Sequence, residues 1–114
     1  MKLAVLSDIH ANNEALEAVL DDANSQKVDG YVVAGDLITD GSDNVAVLDR
    51  VRGLGCPVIR GNREEYVLRY RSGEKADWDG SMQMAAVLWA SQCLRPGDVD
   101  FLSALPHQAV TSLG

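Results

Sequence analysis

The sequence predicts an α/β fold in which parallel strands alternate with helices. Three short apolar runs of β-forming residues begin near Leu3, Gly30 and Cys56, and stretches with helical periodicity separate them. Strands that alternate with helices pair in parallel through right-handed crossovers. The first run is almost wholly apolar, which is typical of a strand covered on both faces. We therefore predict the order β-α-β-α-β-α up to Arg71.

The strands are predicted at Lys2–Ser7, Gly30–Ala34 and Cys56–Arg60. Asn12 or Asn13 can cap the first helix, in which Ala15, Leu16, Val19, Leu20 and Ala23 form one apolar face.

Four further helices are predicted after the first. One carries apolar residues from Val45 to Leu54 and ends near a glycine, and another covers Glu64–Arg71. After a polar loop over Ser72–Gly80, the stretch Ser81–Leu94 reads as an apolar helix with Trp89 in the core. A short final helix is expected to begin at Pro96, before Pro106 stops it.

Composition limits the class of protein. The chain has 114 residues, enough for one small domain, with 46% hydrophobic and 24% charged residues. Its formal net charge of −7 argues against nonspecific binding to nucleic acid, because such binding needs a cationic surface. A small phosphorylated substrate remains compatible with that charge, since a bound metal reverses the local field.

The cysteines and the N-terminus indicate a cytoplasmic location. Cys56 and Cys93 are too few for a disulfide framework, and both read as buried free thiols. The N-terminus lacks the pattern of a signal peptide. The longest nearly uncharged run, Gly80–Leu94, is too short to span a membrane.

Polar side chains follow each of the predicted strands. Asp8 and His10 end the first strand, with one residue between them, so they point to the same side of an extended chain. Asp36 follows the second strand, and Asn62 follows the third. Because the carboxyl ends of parallel strands meet at one edge, we expect these groups to lie together. Carboxylate, imidazole and amide groups there suit a metal or a phosphate.

Each group also has an ordinary structural interpretation. Asp8 and His10 can form a simple hydrogen-bonded pair, and Asp36 can begin a turn. Asn62 can cap the following helix, with residues 63–65 as its solvated first turn. Taken singly, most of these residues favour the structural interpretation. Their joint occurrence at successive strand ends favours a binding site.

Charged residues outside the strand ends read mainly as solvated surface. Asp40 and Asp43 belong to this group, although Arg69 or Arg71 could help to bind a substrate phosphate. His107 directly follows the "ALP" segment and reads as a surface or helix-end residue rather than a metal ligand.

The segments "SDIH", "VVAGDLITDG" and "VIRGNREE" resemble the first three signature blocks of calcineurin-like metallophosphoesterases, D-x-H, G-D-x-x-x-x-G and G-N-H-[DE]. The downstream "AAVLWASQCLRPGDVDFLSALP" is similar to the bacterial branch of that family. The resemblance implies that residues 1–114 form the N-terminal part of such a domain. The implied fold is the β-α-β-α-β half of a four-layer α/β/β/α sandwich.

The resemblance also implies a pair of divalent metal ions, which can be Mn, Fe, Zn or Co. Asp8 and His10 would bind the first ion, Asp36 would bridge both, and Asn62 would bind the second ion and a phosphate oxygen. Water between the metals would then attack a phosphomonoester or phosphodiester. The implied substrate is a phosphorylated small molecule or a phosphoprotein, with no membrane partner.

Arg63 stands where the family usually has His in its third block. It is the candidate catalytic residue at this position and can bind a phosphoryl oxygen, but it cannot donate a proton near neutral pH. The family's second half, which supplies further His ligands including a G-H-x-H block, has no counterpart in this sequence.

Three interpretations of the activity follow. The resemblance implies a hydrolase, and the missing ligands leave open whether this chain is active. The alternative is a truncated, non-catalytic metal- or phosphate-binding fragment that self-associates into a homo-oligomer. A phosphatase with an Asp nucleophile fits less well, because such enzymes want a second Asp at the position of His10.

Overall fold

The computed structural model describes residues 1–74 and 82–111. Within them, strands and helices follow in the order β1 Leu3–Leu6, α1 Asn13–Ser25, β2 Gly30–Val33, α2 Asn44–Gly53, α3 Asn62–Arg71, α4 Met82–Cys93 and α5 Pro96–Ala104. The predicted α/β class and the order of helices are confirmed. The predicted loop Ser72–Gly80 lies largely outside the described residues.

The two strands form a parallel sheet. Leu3 pairs with Gly30 and Leu6 with Val33, as predicted for strands joined by a crossover helix. One part of the prediction is wrong, because β1 is not covered on both faces. Val5 is 68% exposed, while Leu6 packs into the core. The apolar run Leu3–Leu6 therefore forms a strand that is buried on one face and exposed on the other.

The third predicted strand is reduced to one parallel bridge between Val58 and Val33 in the described residues. The Val33 N–H donates to the Pro57 carbonyl at 3.0 Å, and the Ile59 N–H donates to the Val33 carbonyl at 3.0 Å. Pro57 has no N–H of its own to extend a ladder. The segment nevertheless brings the following residues, from Arg60 onwards, to the edge where β1 and β2 end.

The core lies between the sheet and the helices, and its fully buried aliphatic side chains come from the β2 region and from α2 to α5. They are Val33, Leu37, Ile38, Val47, Leu48, Val51, Val67, Val87, Ala90 and Leu102. On α1 the buried residues are Leu16, Leu20 and Ala23, whereas Val19 of the predicted apolar face is exposed.

Trp89 does not belong to the core, and this prediction is wrong. Its exposed fraction is 46%, whereas Val87 and Ala90 on the same helix are fully buried. Helix α4 is apolar around most of its circumference, so the sequence pattern offers no polar face that marks the outside.

Several local predictions are confirmed. The Asn12 side chain accepts a hydrogen bond from the Ala15 N–H at 3.0 Å and caps α1. Helix α5 begins at Pro96 as predicted. Cys56 and Cys93 are free, but both are half-buried rather than buried. No helix among the described residues has the length and apolar character needed to cross a bilayer.

A buried carboxylate fixes the start of α5. Asp98 is fully buried and accepts hydrogen bonds from the backbone N–H of Arg95 at 2.8 Å and from its Nε at 2.9 Å. Arg52 lies 3.4 Å from the same carboxylate. These donors, Arg95 above all, hold the pKa of Asp98 below its usual value.

We expect Asp98→Asn to lower the free energy of unfolding by about 2–3 kcal/mol at pH 7, because charged hydrogen bonds are lost in a buried place. A carboxylate with a lowered pKa stabilises the fold above its unfolded pKa, and this stability is lost as the pH falls through the folded pKa. The deficit of the variant should therefore shrink below about pH 4.

Urea unfolding at pH 7 and at lower pH measures this difference. Asp100→Asn, an exposed change on the same helix, is the matched control and should leave the unfolding midpoint unchanged. Equal midpoints for Asp98→Asn and wild type at pH 7 would contradict the assignment.

Candidate metal centre

The loop that follows β1 is bound to the loop that follows β2. The Asp8 N–H donates to the Gly35 carbonyl at 3.3 Å, and the His10 N–H donates to the Asp36 carbonyl at 3.0 Å. The backbone φ angles of Asp8, His10 and Asp36 are +56°, +50° and +55°, in the left-handed region. Such angles are uncommon outside glycine, although Asp and His tolerate them better than most residues. The two loops therefore turn together at the end of the sheet.

Asp8, His10 and Asp36 form a cluster at this edge. Each of the three offers a ligand atom, and these atoms all lie within 4.8 Å of one another. Nε2 of His10 lies 3.4 Å from Oδ1 of Asp8. Asp8 is exposed, and the other two side chains are half-buried. The structure thus brings together three of the four site residues that were predicted from their places after the strands.

The donor set fits a divalent cation. Carboxylate oxygens and an imidazole nitrogen are the ligands that Mn, Fe, Zn and Co accept, and a cation offsets the repulsion between the two acids. The Ser7 hydroxyl donates to Asp8 Oδ2 at 2.9 Å, and this bond holds the pKa of Asp8 below its usual value. Asp8 is therefore readily available as an anionic ligand.

Glycines allow the backbone to approach closely around the cluster. Gly35 has a φ of +89°, and a Cβ there would lie 2.7 Å from the Gly61 nitrogen. A Cβ on Gly41 would overlap the carbonyl oxygen of His10. These contacts give a physical reason for the glycines of the second and third signature blocks.

Glu64 holds the loop of Asp36 in place, and the expectation of a solvated first turn is wrong for this residue. Its side chain is fully buried. Oε1 accepts from the N–H groups of Asp36 at 2.7 Å and Gly61 at 2.8 Å, while Oε2 accepts from Leu37 at 2.8 Å. Burial raises the pKa of Glu64, although these backbone donors oppose that shift. The available sequence signal was its place as the acid of the third block.

Asn62 and Arg63 begin α3 beside the cluster. Gly61, not Asn62, is the N-cap, so the structural alternative for Asn62 is wrong. The Arg63 N–H donates to Asp36 Oδ1 at 3.0 Å, which places this helix start against the proposed ligand. The Asn62 side chain is exposed at the same helix start.

Asp40 is exposed, in agreement with its interpretation as a surface residue, but it also contacts two side chains of the cluster and its border. Its Oδ2 lies 3.4 Å from Nη2 of Arg63 and 3.7 Å from Nδ1 of His10. The Arg63 side chain is only 16% exposed. The sequence pattern did not point to Asp40, because its partners His10 and Arg63 lie in other signature blocks. The three residues come together only in the folded chain.

An open groove of about 550 Å³ borders this cluster and is lined by residues that include Asp8, His10, Asp40 and Asp43. Other candidates lie elsewhere in the described chain. Arg69 pairs with Glu74, and Arg71 donates to the Ser91 carbonyl at 3.0 Å.

His107 is exposed, in agreement with its interpretation as a surface residue.

Comparison with known proteins places these observations in a family. A family description of calcineurin-like phosphoesterases matches residues 1–110. An uncharacterized protein of Methanocaldococcus jannaschii is 32% identical over 104 residues, which cover 91% of this chain and 42% of that protein. The chain thus spans less than half the length of that curated relative.

Solved structures share the fold. A metallophosphoesterase from Sphaerobacter thermophilus is 27% identical with a TM-score of 0.78, over 97% of this chain and 43% of that one. A hypothetical protein from Pyrococcus horikoshii superposes with a TM-score of 0.81 at 20% identity, over 91% of this chain and 47% of that one. The match over residues 1–110 and the 32% identity lead to one conclusion: the chain belongs to the calcineurin-like phosphoesterase family.

Proposed function

We propose that this chain carries the N-terminal half-site of a metal-dependent phosphoester hydrolase. The observation that supports this most is the cluster of Asp8, His10 and Asp36, whose ligand atoms lie within 4.8 Å of one another at the end of a parallel sheet. Membership of the phosphoesterase family supports the same reaction class. The substrate is a phosphomonoester or a phosphodiester of a small molecule or a protein.

Four residues of this chain would hold a dinuclear centre. Asp8 and His10 would bind one cation, Asp36 would be shared, and Asn62 would contribute to the second. When bound, such cations supply Lewis-acid polarisation of the phosphoryl group and acidify a water molecule. A carboxylate such as Asp36 suits a position between two cations, because its negative charge offsets their repulsion. Mn, Fe, Zn and Co all suit this donor set.

Arg63 would bind a phosphoryl oxygen. Its guanidinium lies beside the cluster, bound to Asp40, and its buried Nη1 has no hydrogen-bond partner among the described residues. A guanidinium in this place can stabilise negative charge that develops on the phosphoryl group. It cannot protonate a leaving oxygen, because a guanidinium does not give up a proton near neutral pH.

A Mn²⁺-dependent assay with an aryl phosphate, combined with sedimentation over a range of protein concentrations, tests the proposal. Hydrolysis that needs Mn²⁺ and disappears in Asp8→Asn would support a catalytic role. Metal binding without hydrolysis at any concentration would instead support the alternative of a non-catalytic fragment. The exposed Val5 and Val19 favour self-association in that case.

In a catalytically complete version of this protein, replacing Arg63 by His is expected to raise turnover most for substrates with poor leaving groups. A general acid contributes on the order of 10²–10⁴-fold, and Arg cannot act as one. The measurement compares the dependence of kcat on leaving-group pKa in the two proteins.

Arg63→Gln is the matched control, because it removes the charge without adding a proton donor, and its turnover should not rise. If kcat depends on leaving-group pKa in the same way in wild type and Arg63→His, a histidine at position 63 does not act as a general acid.

A further inference from the structure

One carboxylate oxygen of Asp40 faces two functional side chains at once. Oδ2 lies 3.7 Å from Nδ1 of His10 and 3.4 Å from Nη2 of Arg63. The backbone fixes this position, because the Gly41 N–H donates to the His10 carbonyl at 2.9 Å and Asp40 has a left-handed φ of +71°. The main chain therefore holds the backbone of Asp40 next to the His10 loop, and the carboxylate of its 42% exposed side chain lies beside the imidazole.

The two ring nitrogens of His10 have different surroundings. Nε2 faces Asp8 Oδ1 at 3.4 Å. Nδ1 is buried and has no hydrogen-bond partner among the described residues. A neutral imidazole carries one proton, and a metal takes the other nitrogen. A cation that Asp8 and His10 bind together would use Nε2, so the proton belongs on Nδ1, which faces Asp40.

We propose that Asp40 is a positioning residue that accepts the Nδ1 proton of His10 in a hydrogen bond and keeps Nε2 free for a divalent cation. The proposal rests on the proposed function, because it takes His10 as a ligand. Carboxylates behind metal-binding histidines fix the tautomer and the ring orientation in this way. The side chain needs to move by only about 0.7 Å to reach a usual N–H···O distance.

The same oxygen restrains Arg63, so Asp40 joins the metal ligand to the phosphate-binding group. Arg63 offers several donors, and its pairing with Asp40 leaves others free for a phosphoryl oxygen. Asp40 thus orders both groups before a ligand arrives. This arrangement is a property of this chain's own Asp40 and Arg63, and it does not depend on which cation binds.

Calorimetric titration with Mn²⁺ tests the proposal on the full chain. Asp40→Ala should weaken Mn²⁺ binding by on the order of 10–100-fold, as for other partners of metal-binding histidines. Asp40→Asn should lose less, because its amide oxygen still accepts from Nδ1. Asp43→Asn is the matched control, since it removes an equal charge from the same groove, and its affinity should match wild type.

Imidazole ¹⁵N spectra report the protonation of each ring nitrogen, and a general loss of stability would not change that pattern. The chain has 2 histidines, so the exposed His107 serves as an internal reference. With Zn²⁺ bound, wild-type His10 should show a slowly exchanging Nδ1–H, and Asp40→Ala should lose it.

If Asp40→Ala binds Mn²⁺ as tightly as wild type and keeps its Nδ1–H, the role of Asp40 is wrong, while the proposed function still stands. Failure of wild type to bind Mn²⁺ would overturn the proposed function and, with it, this role of Asp40. The two failures are therefore distinguishable from one titration series.

Discussion

Asp36→Asn is expected to lower the affinity of this chain for Mn²⁺ by on the order of 100-fold or more. Even outer partners of metal ligands contribute about 10–100-fold, so a direct and shared ligand should contribute at least as much. The substitution keeps the shape of the side chain. Its amide oxygen can still accept from the Arg63 N–H, which lies 3.0 Å from Oδ1 in wild type. The expected loss therefore comes from the charge and not from misfolding.

Isothermal titration with Mn²⁺ measures the affinity, and thermal unfolding with and without Mn²⁺ checks the fold. Wild type should gain stability from the cation by mass action, and Asp36→Asn should not. Without metal the variant should be at least as stable as wild type, because Asp8 and Asp36 no longer repel each other. Asp21→Asn on α1 is the control, since Asp21 is exposed and outside the cluster. Equal Mn²⁺ affinity in wild type and Asp36→Asn would contradict the shared role.

Glu64→Gln is expected to lower the free energy of unfolding by on the order of 3–5 kcal/mol, because hydrogen bonds to a buried charge are lost. Both carboxylate oxygens accept backbone N–H groups: Oε1 from Asp36 and Gly61, and Oε2 from Leu37. A glutamine can supply only one acceptor oxygen, so its NH₂ must face backbone donors. The loss is a large fraction of the stability of a small domain.

Urea unfolding monitored by circular dichroism measures this effect. Glu65→Gln is the matched control on the same helical turn, because Glu65 pairs with Arg60 at 2.8 Å near the surface. The control should lose about 1 kcal/mol or less. If Glu64→Gln unfolds at the same urea concentration as wild type, the buried carboxylate does not support the Asp36 loop as the structure suggests.

The site could be predicted from the sequence where parallel topology fixes it. Asp8, His10 and Asp36 each follow a strand, and parallel strands present their carboxyl ends at one edge. That rule depends on the order of elements and not on tertiary detail. It therefore brought together residues that are far apart in the chain.

The sequence could not show what Glu64 and Asp40 do. Acidic residues in the first turn of a helix are usually solvated, and nothing local shows that backbone donors of residues 36–38 surround Glu64. Asp40 lies in a loop whose left-handed backbone directs it towards His10 and Arg63. Both roles come from contacts between segments, which periodicity does not encode.

The fold departs from the sequence-based expectation for similar reasons. The third strand shrinks to a bridge at Val58, because Pro57 cannot donate and the chain then turns towards α3. The exposure of Trp89 could not be predicted, because α4 has no polar face that would mark its outer side. Hydrophobicity predicted that these segments are ordered, but only packing decides which side is buried.

A crystal of the full chain soaked in Mn²⁺, with anomalous differences measured near the manganese edge, shows directly whether Asp8, His10 and Asp36 bind a metal. We expect a strong peak bound by Asp8, His10 and Asp36, and a second peak beside Asp36 and Asn62 if the centre is dinuclear. The same crystals of Asp36→Asn should lack these peaks. Manganese that is absent from the three-residue cluster, or bound only at other acidic groups of the surface, would contradict the assignment of these three residues as metal ligands.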